Sequence, residues 1–313
     1  MTFDLTGKKV FVCGHSGMVG SAVVRALKTA NCVILTATRS QLDLVNQQEV
    51  KHWMDVAKPD VVILCAAKVG GILANDSFPS EFLYQNLMIE SNIIHASHDI
   101  GVEKLLFLGS SCIYPKFADQ PIREEALLSG ALESTNEWYA IAKIAGIKLC
   151  QSYRKQYGCD FISAMPTNLY GPGDNYDLQG SHVIPALLRK CHEAKIANAN
   201  FMSVWGSGEV FREFMHVDDC ADGIIFLLKN YSESDHINLG VGEDITIKML
   251  AETICEVVGF EGGLKFDSSF PSGTPRKILD VSRINKLGWK AKIGLKQGLK
   301  STYEDYFIGA TKL

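Results

Sequence analysis

The chain has 313 residues, of which 47% are hydrophobic and 21% are charged, and its formal net charge is -4. This length can hold one large domain with an internal active site, and the composition is that of an average globular protein. No apolar run approaches the roughly 18 residues of a membrane helix, and the N-terminus lacks the layout of a signal peptide. We therefore expect that the protein binds neither nucleic acid nor a membrane and that it is cytoplasmic.

The nine cysteines are spread singly along the chain, without a CxxC pair or the Cys/His spacing of a metal site. This distribution argues against a disulfide framework and against a zinc site, and we predict no bound metal. Most of the cysteines are expected to be small apolar residues of the core.

Short apolar runs alternate with longer amphipathic stretches through the first half of the chain. The runs predicted to be strands span 8–14, 32–38, 60–67, 103–111 and 160–171. The stretches predicted to be helices span 17–30, 46–57, 79–99 and 139–157. Because crossover helices cover both faces of a parallel sheet, the alternation predicts an α/β fold of Rossmann type, a doubly wound parallel sheet.

The alternation stops after Gly171, where a loop rich in glycine and polar residues begins. A helix is expected over 182–194, and a second one over 216–230 with Asp218 or Asp219 as its N-terminal cap. A short strand is expected over 236–240.

Two domains follow from this reading. Residues 1–171 and 212–240 would form the dinucleotide-binding Rossmann domain. Residues 172–211 and 241–313 would form a smaller α/β lobe that binds the substrate.

A glycine-rich loop separates the first predicted strand from the first predicted helix. Glycine alone often serves only turn geometry, but this position, with the helix N-terminus facing the phosphates, is the one that binds a dinucleotide. The spacing GxxGxxG is one residue wider than GxGxxG and is typical of short-chain dehydrogenase/reductases. The loop residues predicted to bind the cofactor are Gly14, His15, Ser16, Gly17, Met18, Val19 and Gly20.

The second predicted strand ends in "TATRSQLDL", which has no acid in its first positions. An acid there would bind the free 2′-hydroxyl of NAD, whereas Arg39 can pair with the 2′-phosphate of NADP. A lone arginine is also a common surface charge. We predict that the cofactor is NADP(H).

Tyr139 and Lys143 are four residues apart at the beginning of an alanine-rich predicted helix, so both project from one face. A nearby ammonium stabilises the phenolate and so lowers the pKa of the phenol. Tyr139 can then give its proton to a carbonyl oxygen. A packed tyrosine beside a lysine stem is the alternative. Ser110, at the end of the fourth predicted strand, is placed to hydrogen-bond the same oxygen, and the combination predicts a carbonyl reductase.

Several stretches resemble the GDP-L-fucose synthases, a family of extended short-chain dehydrogenase/reductases. They extend over nearly the whole chain and include "GHSGMVGSA", "AAKVGGILAN", "KLLFLGSSCIYPK", "ESTNEWYAIAKIAGIKLC", "MPTNLYGPGDN", "SHVIPALLRK", "VWGSGEVFREFMHVDD" and "GTPRK". The resemblance implies 3,5-epimerisation of GDP-4-keto-6-deoxy-D-mannose followed by reduction of its 4-ketone with NADPH. It also implies a homodimer that pairs through helices 79–99 and 139–157.

The resemblance implies roles for further residues. Cys112 and His182 would be the acid and base of the epimerisation, which suits groups that titrate at about 8.5 and about 6.5. The implied cofactor contacts are Leu108, Gly109, Ser110, Ser111, Lys143, Pro166, Thr167, Asn168, Leu169 and His182. The implied substrate contacts are Lys190, Trp205, Arg212 and Ser272.

This chain departs from the family at two positions. Ser16 stands where some relatives carry an arginine, which leaves Arg39 as the candidate for the 2′-phosphate. Ser272 stands where relatives carry an acid suited to a hydroxyl of the nucleotide. The expectation of a guanosine nucleotide is therefore weaker than the expectation for the reaction.

Other activities on this fold remain as alternatives. A 4,6-dehydratase needs an Asp/Glu pair where this chain has Ser111 and Cys112, and a plain 4-epimerase needs no additional base. A sister synthase such as a GDP-L-colitose synthase, acting on a 3,6-dideoxy sugar, could share all of these residues. A non-catalytic NADP sensor would have no need of Tyr139 and Lys143.

Overall fold

The computed structural model describes residues 2–178, 180–269 and 274–310. Its strands are β1 (Lys9–Cys13), β2 (Val33–Leu35), β3 (Val61–Leu64), β4 (Lys104–Leu108), β5 (Phe161–Pro166), β6 (Asn168–Tyr170), β7 (Phe201–Trp205), β8 (Phe211–Arg212), β9 (Phe214–His216), β10 (Ile237–Leu239), β11 (Ile245–Thr246), β12 (Gly263–Asp267) and β13 (Arg276–Lys277). Its α-helices are α1 (Met18–Leu27), α2 (Gln47–Ala57), α3 (Ile72–Ser77), α4 (Pro79–Asp99), α5 (Glu137–Tyr157), α6 (Val183–Ile196), α7 (Val217–Asn230), α8 (Ile247–Val258), α9 (Ser282–Lys286) and α10 (Leu295–Ala310).

A six-stranded parallel sheet forms the centre of the molecule, in the order β2-β1-β3-β4-β5-β10. The residues of β3, β4 and β5 are buried throughout, because helices cover both faces of the sheet. This confirms the predicted Rossmann-type α/β fold. The strand order reverses between β1 and β3, and open α/β sheets bind ligands beyond the carboxyl ends of their strands at such a point.

The strand predicted over 160–171 is wrong in its second half. The chain leaves the central sheet after β5, and β6 pairs in parallel with β9 in a separate two-stranded sheet. Thr167 marks the break: its N–H donates to Leu239 O (3.0 Å), while its hydroxyl donates to Glu213 O (3.3 Å). These bonds redirect the backbone out of the central sheet toward β9.

The strand predicted over 103–111 also ends earlier than expected, because β4 stops at Leu108. Ser111–Ile113 form a turn of 3₁₀-helix, and the Ser110 side chain caps it by accepting from the Cys112 N–H (3.3 Å). Cys112 therefore lies on a capped turn and not on the extension of a strand.

The predicted cap of the helix over 216–230 is wrong as well. His216 is the cap of α7, and its Nδ1 accepts from the Asp218 N–H (3.2 Å). Asp218 pairs with Arg25 on α1 (2.6 Å), and Asp219 accepts from the N–H groups of Lys292 (3.0 Å) and Ile293 (2.8 Å). The two acids thus hold neighbouring segments and leave the capping position to the histidine.

Two clusters of buried apolar side chains form the interior. The first surrounds the central sheet, and the second lies between α6, α8 and the parallel pair β7 and β12. Leu279, Ile284 and Trp289 belong to the first cluster, although they follow residue 241. Part of the segment 241–313, which is predicted to belong to the smaller lobe, therefore packs against the central sheet. The division into two domains stays a proposal.

The helices α4 and α5 have 21 residues each and pack side by side. Lys143 on α5 meets Glu90 on α4 at their interface. None of the helices in the described part of the chain is long and apolar enough to cross a membrane.

Candidate active site

A cavity of about 1110 Å³ opens at the carboxyl ends of the central strands and extends to α6 and β7. Its wall includes these predicted site residues: Gly14, Ser16, Gly17, Met18, Val19, Gly20, Arg39, Leu108, Gly109, Ser110, Ser111, Cys112, Tyr139, Lys143, Pro166, Thr167, Asn168, Leu169, His182, Lys190, Trp205 and Arg212. His15 does not line this cavity, and Ser272 lies outside the described residues. The fold therefore gathers nearly all of the predicted positions around one space.

The glycine loop between β1 and α1 can accept a dinucleotide phosphate. Gly14 adopts φ +82°, which permits the turn, and a Cβ at Gly20 would lie 2.0 Å from Gly14 O. A Cβ at Gly17 would contact only Gly14 O, at an ordinary distance of 3.5 Å. Neighbouring protein atoms therefore do not require a glycine at this position. Its backbone begins α1 at the cavity wall, where helix N–H groups can face an anion.

Arg39 and Ser16 are exposed residues of the same wall. Arg39 follows β2 at its carboxyl end, as a partner of a 2′-phosphate should. His15 differs from its neighbours, because its Nδ1 is buried and has no hydrogen-bond partner among the described residues. The cofactor contact expected of His15 stays a prediction.

Gly109 has a packing role. A Cβ at this position would lie 2.4 Å from Met165 Sδ on the neighbouring strand β5, so a larger residue would have to displace the Met165 side chain. The Gly109 N–H donates to Ala164 O (2.9 Å) and continues the ladder by one residue past β4. The close fit holds the segment that carries Ser110 and Cys112.

Ser110, Tyr139 and Lys143 come together at the end of β4 and the first turns of α5. Burial raises the pKa of Tyr139, the nearby Cys112 and Glu90 raise it further, and the neighbouring Ser110 hydroxyl lowers it. Lys143 Nζ lies 5.8 Å from the centre of the Tyr139 ring. At neutral pH the phenol is a proton donor beside an ammonium.

Cys112 has two polar partners that the sequence reasoning missed. Asn136 Nδ2 donates to Cys112 Sγ (3.3 Å), and Lys277 Nζ lies 3.6 Å from the same sulfur. The sulfur thus has an amide and an ammonium within hydrogen-bond distance. Both partners lie in quoted stretches, "ESTNEWY" and "GTPRK", and that resemblance is the signal that could have identified them.

His182 lines the same cavity immediately before α6, where its side chain caps no N–H group. The side chain is exposed to the open cavity, but the surrounding cleft walls partly desolvate it and lower the pKa of its imidazole, which favours the neutral ring that can accept a proton. The cavity therefore holds a thiol and an imidazole in addition to the three groups of a carbonyl reductase.

The far end of the cavity is cationic and aromatic. Lys190 Nζ lies 4.4 Å from the centre of the Trp205 ring, and Arg212 stands on β8 in the same wall. Burial lowers the pKa of Lys190 and of Arg212, and the nearby Glu133 acts in the opposite direction on Arg212. Such a set suits the phosphates and the base of a nucleotide.

The chain is similar to proteins of known activity over almost its whole length. The model of the NAD dependent epimerase/dehydratase family matches residues 10–240. A GDP-L-fucose synthase of Sinorhizobium fredii is 59% identical over 302 residues, which are 96% of each protein. A GDP-L-colitose synthase of Yersinia pseudotuberculosis is 37% identical over 302 residues, 96% of this chain and 98% of that one. A GDP-L-fucose synthetase of Naegleria fowleri bound to NADP has a TM-score of 0.91 and is 28% identical, covering 99% of this chain and 97% of that one.

Proposed function

Because the chain belongs to the NAD dependent epimerase/dehydratase family, we propose that it is a GDP-L-fucose synthase, which converts GDP-4-keto-6-deoxy-D-mannose to GDP-L-fucose with NADPH. The observation that carries this proposal is a single cavity that contains Cys112 and His182 beside Ser110, Tyr139 and Lys143. One space then holds the groups for epimerisation and those for reduction.

The epimerisation requires proton exchange at carbons 3 and 5 of the sugar. Their protons are acidic because each carbanion delocalises into the neighbouring 4-ketone as an enolate. Cys112 and His182 would remove and return these protons, one acting as base and the other as acid. Lys277 and Asn136 would hold the thiolate of Cys112 in place between the two events.

The reduction uses the other three groups. NADPH, when bound, supplies a hydride to carbon 4. Tyr139 donates its proton to the oxygen at carbon 4, and Ser110 hydrogen-bonds that oxygen. The Lys143 ammonium compensates the charge that remains on the phenol and binds the ribose hydroxyls of the nicotinamide half.

Cofactor and nucleotide would occupy opposite ends of the cavity. The glycine loop, Arg39, the segment 108–111 and the segment 166–169 would hold NADP(H). Lys190, Trp205 and Arg212 would hold the diphosphate and the base of the GDP-sugar.

A GDP-L-colitose synthase is the second candidate, because such an enzyme would use the same acid, base and reductase groups. Its identity to this chain is 37%, against 59% for the fucose synthase, so the 6-deoxy sugar is favoured as substrate. A non-catalytic NADP sensor is disfavoured by the complete set of acid and base groups.

We also propose that the protein is a cytoplasmic homodimer. Exposed apolar side chains on the paired helices support the dimer, among them Tyr84 on α4 (59% exposed) and Ile141 on α5 (37% exposed). An interface there would remove these side chains from water.

The decisive experiment follows NADPH oxidation by the purified protein. We expect oxidation with GDP-4-keto-6-deoxy-D-mannose and release of GDP-L-fucose. Parallel assays with the 3,6-dideoxy analogue decide between the two synthases by comparing kcat/KM. No oxidation with either sugar at high enzyme concentration would exclude the proposed function.

A further inference from the structure

Glu90 is a buried acid on α4 that contacts Lys143, one of the three proposed reductase residues, on the side away from the cavity. Lys143 Nζ lies 2.8 Å from Glu90 Oε1, and both side chains are 2% exposed. Lys143 lines the cavity, whereas Glu90 does not. The carboxylate therefore lies outside the cavity wall and is joined to the active site by its contact with Lys143.

The space around this pair is closed. A Cβ at Gly146 would lie 2.8 Å from Glu90 Oε2 and 2.5 Å from the Phe107 ring, so the glycine leaves the room that both side chains fill. Lys143 Nζ also lies 4.6 Å from the centre of the Phe107 ring. Water has little access to either charge, so each depends on the other.

The other titratable groups that face Lys143 are uncharged near neutral pH. Cys65 follows β3 and Cys150 lies on α5, and burial raises the pKa of each thiol to about 12. Burial likewise raises the pKa of Tyr139. Burial raises the pKa of Glu90 too, while the Lys143 ammonium opposes that rise. Among the described residues, Glu90 is thus the carboxylate that can compensate this ammonium.

We propose that Glu90 is the positioning residue of the reductase groups, which keeps Lys143 in its ammonium form and fixes Nζ beside Tyr139. This role rests on the proposed function, because it acts on the reduction step. A buried ammonium without a counter-charge releases its proton more readily. Tyr139 would then lose the positive charge that helps its phenol to give up a proton.

The test is Glu90→Gln, which keeps the size of the side chain and removes its charge. We expect the alkaline limb of kcat for NADPH oxidation to move to lower pH by about one unit, so that kcat falls about tenfold at a pH above the wild-type limb and is unchanged well below both limbs. KM for the sugar should change little, because Glu90 does not line the cavity. Glu90→Asp, which restores the charge, should move the limb back toward that of the wild type.

A matched control is Glu103→Gln, which removes a carboxylate from a surface pair with Lys8 (2.7 Å). It should leave the limb where the wild type has it. An unmoved limb in Glu90→Gln, with only a uniform loss of rate or of thermal stability, would overturn the proposal and make Glu90 a packing residue.

NADPH affinity without sugar gives a second readout, since Lys143 would bind the cofactor ribose. In Glu90→Gln the affinity should begin to fall at a lower pH than in the wild type, and identical pH profiles would contradict the role of Glu90. Failure of the wild-type protein to oxidise NADPH with sugar would instead exclude the proposed function. The two failures are therefore distinguishable.

Discussion

Cys112 differs in its surroundings from the fully buried cysteines of the core. Cys13, Cys150 and Cys220 are buried among apolar side chains, where burial raises the pKa of each thiol. Cys112 instead faces the cavity with an amide and an ammonium near its sulfur. A thiol in such surroundings is suited to proton transfer, whereas the buried thiols fill space.

Cys112→Ser should therefore slow proton exchange at the sugar. A hydroxyl is a far weaker acid than a thiol, and we expect exchange of solvent deuterium into carbons 3 and 5 to fall about a hundredfold. Mass spectrometry of the recovered sugar measures the exchange. If the serine variant exchanges at the wild-type rate, the thiol takes no part in the epimerisation.

Tyr139→Phe is the complementary variant. It removes the proton donor of the reduction and leaves Cys112 and His182 in place, so NADPH oxidation should fall about a hundredfold or more while deuterium exchange continues. Mass spectrometry of the recovered sugar gives the exchange rate, and the absorbance of NADPH gives the oxidation rate. Loss of exchange together with oxidation would show that the two groups of residues do not act separately.

The residues of the site were predictable where they follow a local pattern. The glycine loop and the pair Tyr139 and Lys143 follow fixed spacings within one element each, and the fold brings them to one cavity. Lys277 and Glu90 gave no such signal, because each meets its partner through a contact between distant segments. A contact of this kind depends on packing and not on local spacing.

At the scale of elements, the backbone of the turn between β1 and α1 is packed too closely to accept a side chain at Gly20. Gly20→Ala would place a methyl group 2.0 Å from the backbone carbonyl of Gly14, which cannot rotate away as a side chain would. We expect the free energy of unfolding to fall by about 1–3 kcal/mol, together with weaker NADPH binding. Denaturant titration and fluorescence titration measure the two effects.

Gly294→Ala is the control for this substitution. A Cβ at Gly294 meets no atom within 4 Å, so the stability should change little. Equal stability of both variants would mean that the loop relaxes around the added methyl group.

The beginning of β10 carries a buried polar cluster that makes stability depend on pH. His236 is 5% exposed and its Nε2 lies 3.1 Å from the Tyr114 hydroxyl, which donates to Asn238 Oδ1 (2.5 Å). Burial lowers the pKa of His236 to about 4. The neutral ring is thus the form that the fold accommodates.

The unfolded chain binds a proton at this histidine below about pH 6.5, whereas the folded chain does so only near pH 4. The contribution of His236 is therefore complete above pH 6.5 and is lost as the pH falls to about 4, which amounts to about 3 kcal/mol. Urea titrations at several pH values measure the slope. In His236→Gln this slope should be flatter, and in His52→Gln, at an exposed position of α2, it should match the wild type.

Element boundaries were predictable only where apolar periodicity sets them. The helix predicted over 79–99 has these bounds in the structure, because its pattern persists to both ends. The end of β4 and the cap of α7 were wrong, since a Ser110 side chain and a His216 side chain decide them. Such hydrogen bonds compete with the pattern and are not visible in it.

At the scale of the whole molecule, Glu213 ties the walls of the cavity together. It is fully buried, and its carboxylate accepts from the N–H groups of Val241 (2.6 Å), Gly242 (2.8 Å) and Leu279 (2.9 Å). Its own carbonyl accepts from Asn168 Nδ2 (2.8 Å). One residue thus connects β6, the segment after β10 and the segment after β13.

The proposed dimer gives a prediction for the whole molecule. Light scattering should report about twice the 34.4 kDa of one chain. Ile141→Glu, which places a charge on the exposed face of α5, should shift the protein toward monomer at low micromolar concentration. A monomeric wild type would exclude the dimer, and Val56→Glu, at an exposed position on α2, serves as the control.

The contact between Lys277 and Cys112 spans 165 residues of the chain, whereas Ser110, Tyr139 and Lys143 lie close together in sequence. During synthesis the groups for reduction are therefore complete long before the thiol receives its ammonium. A chain that is clipped before β13 would keep a nucleotide loop and a reductase set while its thiol lacked that partner. In the proposed reaction, the epimerisation would therefore depend on a contact between distant parts of the chain, whereas the reductase groups come from one stretch of it.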